Sequence, residues 1–259
     1  MAKLRLDCLL VERGLVESRA RAQALTMAGL VFSGEARLDK PGRMVSPDIA
    51  LSLRGQDHPW ASRGGLKLVR AIEAFQIDPS GRVAIDVGAS TGGFTDVLLA
   101  HGAKKVYAVD VGHGQLAWRL REDPRVQVLE RTNARHLTNA HIPEPVDLIV
   151  CDASFIGLRT ILPAPMALSG PSAILVALIK PQFEVGKDRV GKGGVVRDPA
   201  LHKEICETIG QWLADQPDWS VEGIVESPIT GAEGNVEFLI VGKRLVEEGR
   251  VFHRPEIFY

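Results

Sequence analysis

Four charged residues in this 259-residue chain stand where β-type runs end or helices begin. Asp152 follows the apolar run DLIVC, Lys180 closes AILVALI, Glu237 opens FLIV, and Lys67 lies in SRGGLKL. Open parallel sheets bind ligands beyond the carboxyl ends of their strands, so Asp152 and Lys180 fall where a site would form. An ionisable group finishing an apolar strand is partly desolvated and needs partners. Two lysines and two carboxylates can meet that need mutually. Set beside a nucleoside pocket, they point to polar chemistry on a hydroxyl and away from redox chemistry. Lys180 is the expected centre, as the base that takes the hydroxyl proton or as the group that orients the oxygen. Sequence leaves both roles open.

The pocket is expected at Asp86-Val-Gly88-Ala-Ser90-Thr-Gly92-Gly93, between strand-like VAIDV and helix-like TDVLLAHG. Glycines in such a turn let the backbone approach a ligand and expose amide N–H groups at a helix start. Ser90 breaks a GxGxxG pattern and no GK[ST] follows, which disfavours a pyrophosphate and a dinucleotide-dependent oxidoreductase. Asp110 ends the next strand, 22 residues after Gly88, the offset at which an acidic residue holds ribose hydroxyls.

Strand and helix patterns must position these groups. VAIDVG, VYAVDV, VQVLE, VDLIVCD and AILVALIK read as strands; GLKLVRAIEAF, TDVLLAHG, GQLAWRLRED and LHKEICETIGQWLAD read as helices. Their alternation predicts an α/β fold, a doubly wound, mainly parallel, seven-stranded sheet. WSVEGIVESPI and NVEFLIVGKR read as a hairpin with a short glycine-containing loop, placing one antiparallel strand in the sheet.

Residues 1–53 read as a small α+β module. Ser18 is a candidate N-cap and Gly29 a candidate helix stop; VFSGEARL and MVSPDIALSL read as strands around a turn at Asp39 to Gly42. Residues 54–65 read as a polar linker, 66–244 as the catalytic domain and 245–259 as a tail. The net charge of -1 hides an asymmetry: residues 1–70 carry 12 Lys and Arg against 7 Asp and Glu, the remainder 19 against 25. A basic module on an acidic body suits contact with nucleic-acid phosphates. Arg5, Arg19 and Arg21 are its candidate contacts, the last two in a first helical turn that disfavours cations. A second basic set, Lys187, Arg189, Lys192 and Arg197, lies in the glycine-rich stretch GKDRVGKGGVVRD after Lys180 and is expected to close on RNA phosphates.

Cys8, Cys151 and Cys206 stand far apart with no CxxC, which argues against a zinc site and for a reducing compartment. No metal is expected. Neither a long apolar run nor a cleavage-type leader is visible, so a cytoplasmic protein without a membrane anchor is expected.

The spacing DVG…GG…D resembles the class I S-adenosylmethionine-dependent methyltransferases. That likeness implies S-adenosylmethionine as cofactor, with Asp86, Gly88, Ser90, Gly92 and Gly93 at its amino-acid end, Asp110 on its ribose and Asn133 near its adenine. DASF replaces the Asn/Asp-Pro-Pro-aromatic motif of base-amino methyltransferases. With Lys67, Lys180 and Glu237 it resembles the Lys-Asp-Lys-Glu set of FtsJ-like ribose 2′-O-methyltransferases. RLDCLLVERGLVESRARAQALTMAGLVFSG resembles the RNA-binding module of ribosomal small-subunit protein four. Together the two halves resemble the TlyA (hemolysin A) family, which implies a cytidine ribose of ribosomal RNA as acceptor and ribosomal RNA or subunits as partners. It also implies that the linker around Trp60 couples RNA docking to cofactor binding. Two rival readings are a non-catalytic RNA-binding assembly factor, against which the intact four-residue set argues, and a pore-forming haemolysin, against which the missing apolar segment argues.

Overall fold

Pro59 and Trp60 mark the boundary between two separate units. The structure, a computed structural model, describes residues 3–16, 18–53, 58–186, 189–231, 234–245 and 257–258.

The first unit runs β1 (Leu4–Arg5), α1 (Leu6–Glu12), α2 (Arg19–Met27), β2 (Val31–Ser33), β3 (Ala36–Arg37), β4 (Met44–Val45) and β5 (Ser52–Leu53). Leu6, Leu9 and Leu10 of α1 close a small core with Ala22, Leu25, Val31, Leu38 and Val45. Ser18 caps α2, its Oγ accepting from the Arg21 amide at 3.2 Å, and Gly29 leaves the helix at φ +72°. The strands are shorter than expected: β2 pairs with β3 and β5, while β1 pairs with β4.

Asp7 organises this unit. It is fully buried, and its carboxylate accepts from Arg5 at 3.0 and 2.9 Å, Arg19 at 3.0 Å and Gln23 at 2.8 Å. These donors, Arg5 first, hold the carboxyl well below the usual range despite its burial. The group therefore adds stability above its unfolded value near 4 and loses it only as pH falls through the lower folded value. Arg5 and Arg19, expected to face RNA, thus hold the fold together, while Arg21 makes no ion pair among the described residues. Arg19→Ala should destabilise the unit by about 1–2 kcal/mol. Arg21→Ala should cost less than about 0.5 kcal/mol. Hydrogen exchange of the α1 amides in the full chain measures both; equal effects would remove Asp7 from this account.

The second unit runs α3 (Gly64–Phe75), β6 (Val83–Val87), α4 (Gly93–Ala100), β7 (Lys105–Val109), α5 (Trp118–Arg121), β8 (Val126–Leu129), β9 (Val146–Cys151), α6 (Leu158–Ile161), α7 (Pro163–Ala167), β10 (Ser169–Ile179), α8 (Pro181–Glu184), α9 (Pro199–Ala214), β11 (Trp219–Glu226), β12 (Phe238–Arg244) and β13 (Ile257–Phe258). Seven strands form the expected sheet in the order β11-β12-β10-β9-β6-β7-β8. The five from β10 to β8 are parallel, and β12 pairs antiparallel with both β10 and β11. From the tail, β13 adds a parallel pairing to β11.

Alternation along each strand sends Ile85, Ile149 and Leu175 to one face, under Ile205 and Ile209 of α9. Ala84, Leu148 and Val176 go to the other, under Leu68 and Ala71 of α3 and Val97 and Leu98 of α4. Burial pushes the thiols of Cys151 and Cys206 up to about 12, so neither is a ready nucleophile. The chain steps outward from β6 to β7 and β8, then returns to β9 on the other side of β6. That reversal is the switch point where open sheets bind ligands.

Three expectations need revision. GQLAWRLRED forms only the four-residue α5, because residues 110–117 are drawn into the loop above β7. The hairpin connection is not short: residues 227–237 separate β11 from β12, and Ile229, Thr230, Gly231, Asn235 and Glu237 line a cavity. The stretch read as linker is fastened from Trp60 onward, with the Ala61 amide donating to Asp96 of α4 at 2.7 Å.

Candidate active site

Two strand ends, one helix and one strand start bring the four charged residues together. Lys67 is reached from α3, Asp152 follows β9, Lys180 follows β10, and Glu237 precedes β12. Lys180 Nζ lies 2.6 Å from Asp152 Oδ1; Lys67 Nζ lies 3.3 Å from Asp152 Oδ2 and 2.7 Å from Glu237 Oε2. The result is a chain of alternating charge, Lys180–Asp152–Lys67–Glu237. Its side chains are only 7%, 19%, 8% and 2% exposed, so the charges are held in a poorly solvated place and each depends on its neighbours. Lys180 also donates to the Asp152 carbonyl at 3.3 Å and to Ser154 Oγ at 3.0 Å.

The glycine loop lies directly beside this chain. Gly88 has φ +83°, and a Cβ there would come within 3.0 Å of Ala153 Cα, so glycine lets the loop meet the end of β9. Gly93 serves packing as well: a Cβ would collide with Ser62. Gly92 starts α4 at φ +97°, backed by Leu116 and Leu120, and borders neither of the two main cavities. Ser90 holds φ +47°, fixed by its amide donating to Asp110 Oδ2 at 2.8 Å; Asp110 Oδ1 accepts from the Gly112 amide at 2.7 Å. Asp110 therefore braces the loop, and each oxygen keeps a lone pair for a ligand. Asn133 caps a short 3₁₀ turn, its Oδ1 accepting from the Arg135 amide at 3.1 Å.

Asp86 is the least satisfied group of the loop. Its Oδ2 accepts from Thr95 N at 2.9 Å and Thr95 Oγ1 at 2.7 Å, but its Oδ1 is buried without a hydrogen-bond partner. Burial, opposed by the Thr95 bonds, pushes the carboxyl up to about 7.

Two cavities meet here. One, of about 690 Å³, is lined by Asp86, Lys67, Asp152, Lys180 and Glu237; the other, of about 660 Å³, by Asp110, Val111, Gln115 and Asn133. Gly88, Ser90, Asp152, Ser154 and Phe155 border both. The second lies above β7; the first holds the charged chain.

Sequence reasoning passed over Phe155 and Phe183, whose ring centroids lie 5.2 Å apart. Phe155 is 90% exposed at φ +65°, a conformation and an exposure that a bulky apolar residue rarely adopts without functional cause. DASF was read for its aspartate; its aromatic was the available signal. Gln182, whose buried Oε1 has no hydrogen-bond partner, lines the same cavity. Of the basic residues after Lys180, Arg189 pairs with Glu204 of α9 at 2.6 and 2.7 Å. Lys187 and the side chain of Lys192 lie outside the described residues, and Arg197 is exposed. Among the described residues, no helix is long and apolar enough to cross a membrane.

Residues 60–244 match the FtsJ-like methyltransferase family. The 16S/23S rRNA (cytidine-2′-O)-methyltransferase TlyA of Mycobacterium tuberculosis is 49% identical over 92% of this chain and 89% of its own length. Hemolysin A of Brachyspira hyodysenteriae is 38% identical over 91% of this chain and 98% of its own. A solved structure from Streptococcus thermophilus, 42% identical, covers 95% of this chain and 90% of that one with a TM-score of 0.75. On the family match and these relatives, the chain belongs to the S-adenosylmethionine-dependent FtsJ-like methyltransferases, as a relative of TlyA and Hemolysin A.

Proposed function

We propose that this enzyme methylates a ribose 2′-hydroxyl, on a cytidine of ribosomal RNA, in the cytoplasm. The carrying observation is the alternating chain Lys180–Asp152–Lys67–Glu237 along one cavity, with Asp152 also bordering the second. The site suits the cofactor. Asp86 offers a buried, unpartnered carboxylate oxygen to its ammonium group, and Asp110 offers free lone pairs to its ribose. Asn133 borders the second cavity and keeps its side-chain N–H donors for the base. S-adenosylmethionine, when bound, supplies an electrophilic methyl on a good leaving group.

The protein's own task is to align the hydroxyl and assist loss of its proton. Lys180 meets the hydroxyl in the cavity that the charged chain lines. Asp152 fixes Lys180 on one side and Lys67 on the other, and Glu237 anchors Lys67, so the set acts as a unit. Lys67 helps place the 2′-oxygen. Phe155, with Phe183 packed against it at a tilt of 46°, offers an aromatic face to the base of the acceptor nucleotide. Phe155→Ala should raise the KM for RNA by about 1–3 kcal/mol in binding terms, with cofactor affinity unchanged. Unchanged KM would leave the exposed ring without this role.

RNA docking belongs to the first unit, with Arg21 as a dedicated phosphate contact and Arg5 and Arg19 serving fold and phosphate together. Deleting residues 1–53 should weaken RNA binding and flatten its salt dependence. Transfer of a tritiated methyl group from S-adenosylmethionine to separated small and large ribosomal subunits tests the substrate. Label confined to protein or free nucleotides would refute it.

A further inference from the structure

We infer that Ser154 is a further positioning residue of the methyl-transfer site, acting through Lys180; this rests on the role proposed for Lys180. Three acceptors surround the Lys180 ammonium, and all three come from Asp152-Ala-Ser154. They are the Asp152 carbonyl at 3.3 Å, Asp152 Oδ1 at 2.6 Å and Ser154 Oγ at 3.0 Å. The Oδ1 contact is short, yet it lacks hydrogen-bond alignment. Among the described residues, Ser154 Oγ is therefore the one side-chain oxygen that Lys180 meets along a proper N–H direction.

Position adds to this. Ser154 is exposed and borders both cavities, so it stands where cofactor and acceptor must meet. Its oxygen is engaged by Lys180, while its own O–H has no acceptor among the described residues. A hydroxyl so placed holds Nζ from the side of the cofactor cavity and sets the direction in which the ammonium group points. The left-handed turn at Phe155 immediately after it fixes the direction in which the segment leaves β9. Asp152 provides the charge that keeps Lys180 in place; Ser154 provides the direction.

Ser154→Ala should lower kcat about tenfold, the scale of one charge-assisted hydrogen bond. The Kd for S-adenosylmethionine and the KM for ribosomal RNA should stay within about twofold, which also shows that the fold is intact. Ser154→Thr, which keeps the hydroxyl at an exposed position, should recover most of the lost turnover. Wild-type kcat in Ser154→Ala would overturn the inference, as would an equal loss in cofactor affinity or a threonine variant as poor as alanine. Lys180→Ala is assayed alongside. If it stays active, the reading of Lys180 has failed and the role of Ser154 with it. If it is inactive while Ser154→Ala is normal, only the inference about Ser154 has failed.

Discussion

Lys180→Ala is expected to lose about 10²–10⁴-fold in kcat while still binding S-adenosylmethionine and RNA. The side chain lines the cavity that holds the charged chain, and Asp152 and Ser154, which border both cavities, hold it there. Removing it leaves Asp152 still paired with Lys67, so the rest of the site should keep its shape. Lys180→Arg should fail too. Guanidinium cannot act as a base at accessible pH, and its planar fork does not fit acceptors arranged around a single nitrogen. Single-turnover kinetics with saturating cofactor read the chemical step directly. Near-normal rates in both variants would remove Lys180 from the centre of the mechanism.

Asp86→Asn carries the second large effect. The amide can still accept the two Thr95 bonds but offers no charge to an ammonium group, so affinity for S-adenosylmethionine should fall by about 1.5–3 kcal/mol. The wild-type carboxyl, raised to about 7 by burial, gives the loss a pH signature. Below that value the group is neutral and binds the cation poorly, so cofactor affinity should rise as pH passes upward through about 7. The sign reverses for the ligand-free fold. The native state holds a proton that the unfolded state releases near 4, so stability from this group is lost between about 4 and 7 as pH rises. Asp86→Asn should abolish both trends. Calorimetric titration across this range checks the first and thermal denaturation without ligand the second; a flat wild-type affinity profile would contradict the assignment.

The groups that sequence located best are those fixed by the sheet itself. Asp152 and Lys180 each follow an apolar strand by one residue, and the strand-end rule places them at the switch point. Asp110 follows for the same reason. The antiparallel β12 was legible because a turn-rich stretch separates two β-type runs near the end of the domain. Where neighbours distant in sequence decide the outcome, sequence falls silent. Arg5 and Arg19 look like exposed cations until Asp7 is seen buried between them. Gly93 reads as a ligand-facing glycine and lines the cavity, yet its packing against Ser62, far back in the chain, gives no local sign. Asp96 gives no hint in TDVLLAHG that it fastens Ala61 and pairs with Arg119 of α5, its Oδ1 taking the Arg119 contact at 2.7 Å. These are tertiary demands, and no local period or propensity records them.

The central claim is the chemical position of the methyl group. Ribosomal RNA from cells lacking this protein would be incubated with the enzyme and S-adenosylmethionine, digested to nucleosides and resolved by mass spectrometry, with Lys180→Ala in parallel. The wild-type reaction should yield 2′-O-methylcytidine and the variant none above background. A methyl group on a base, or equal ribose methylation by Lys180→Ala, would contradict it.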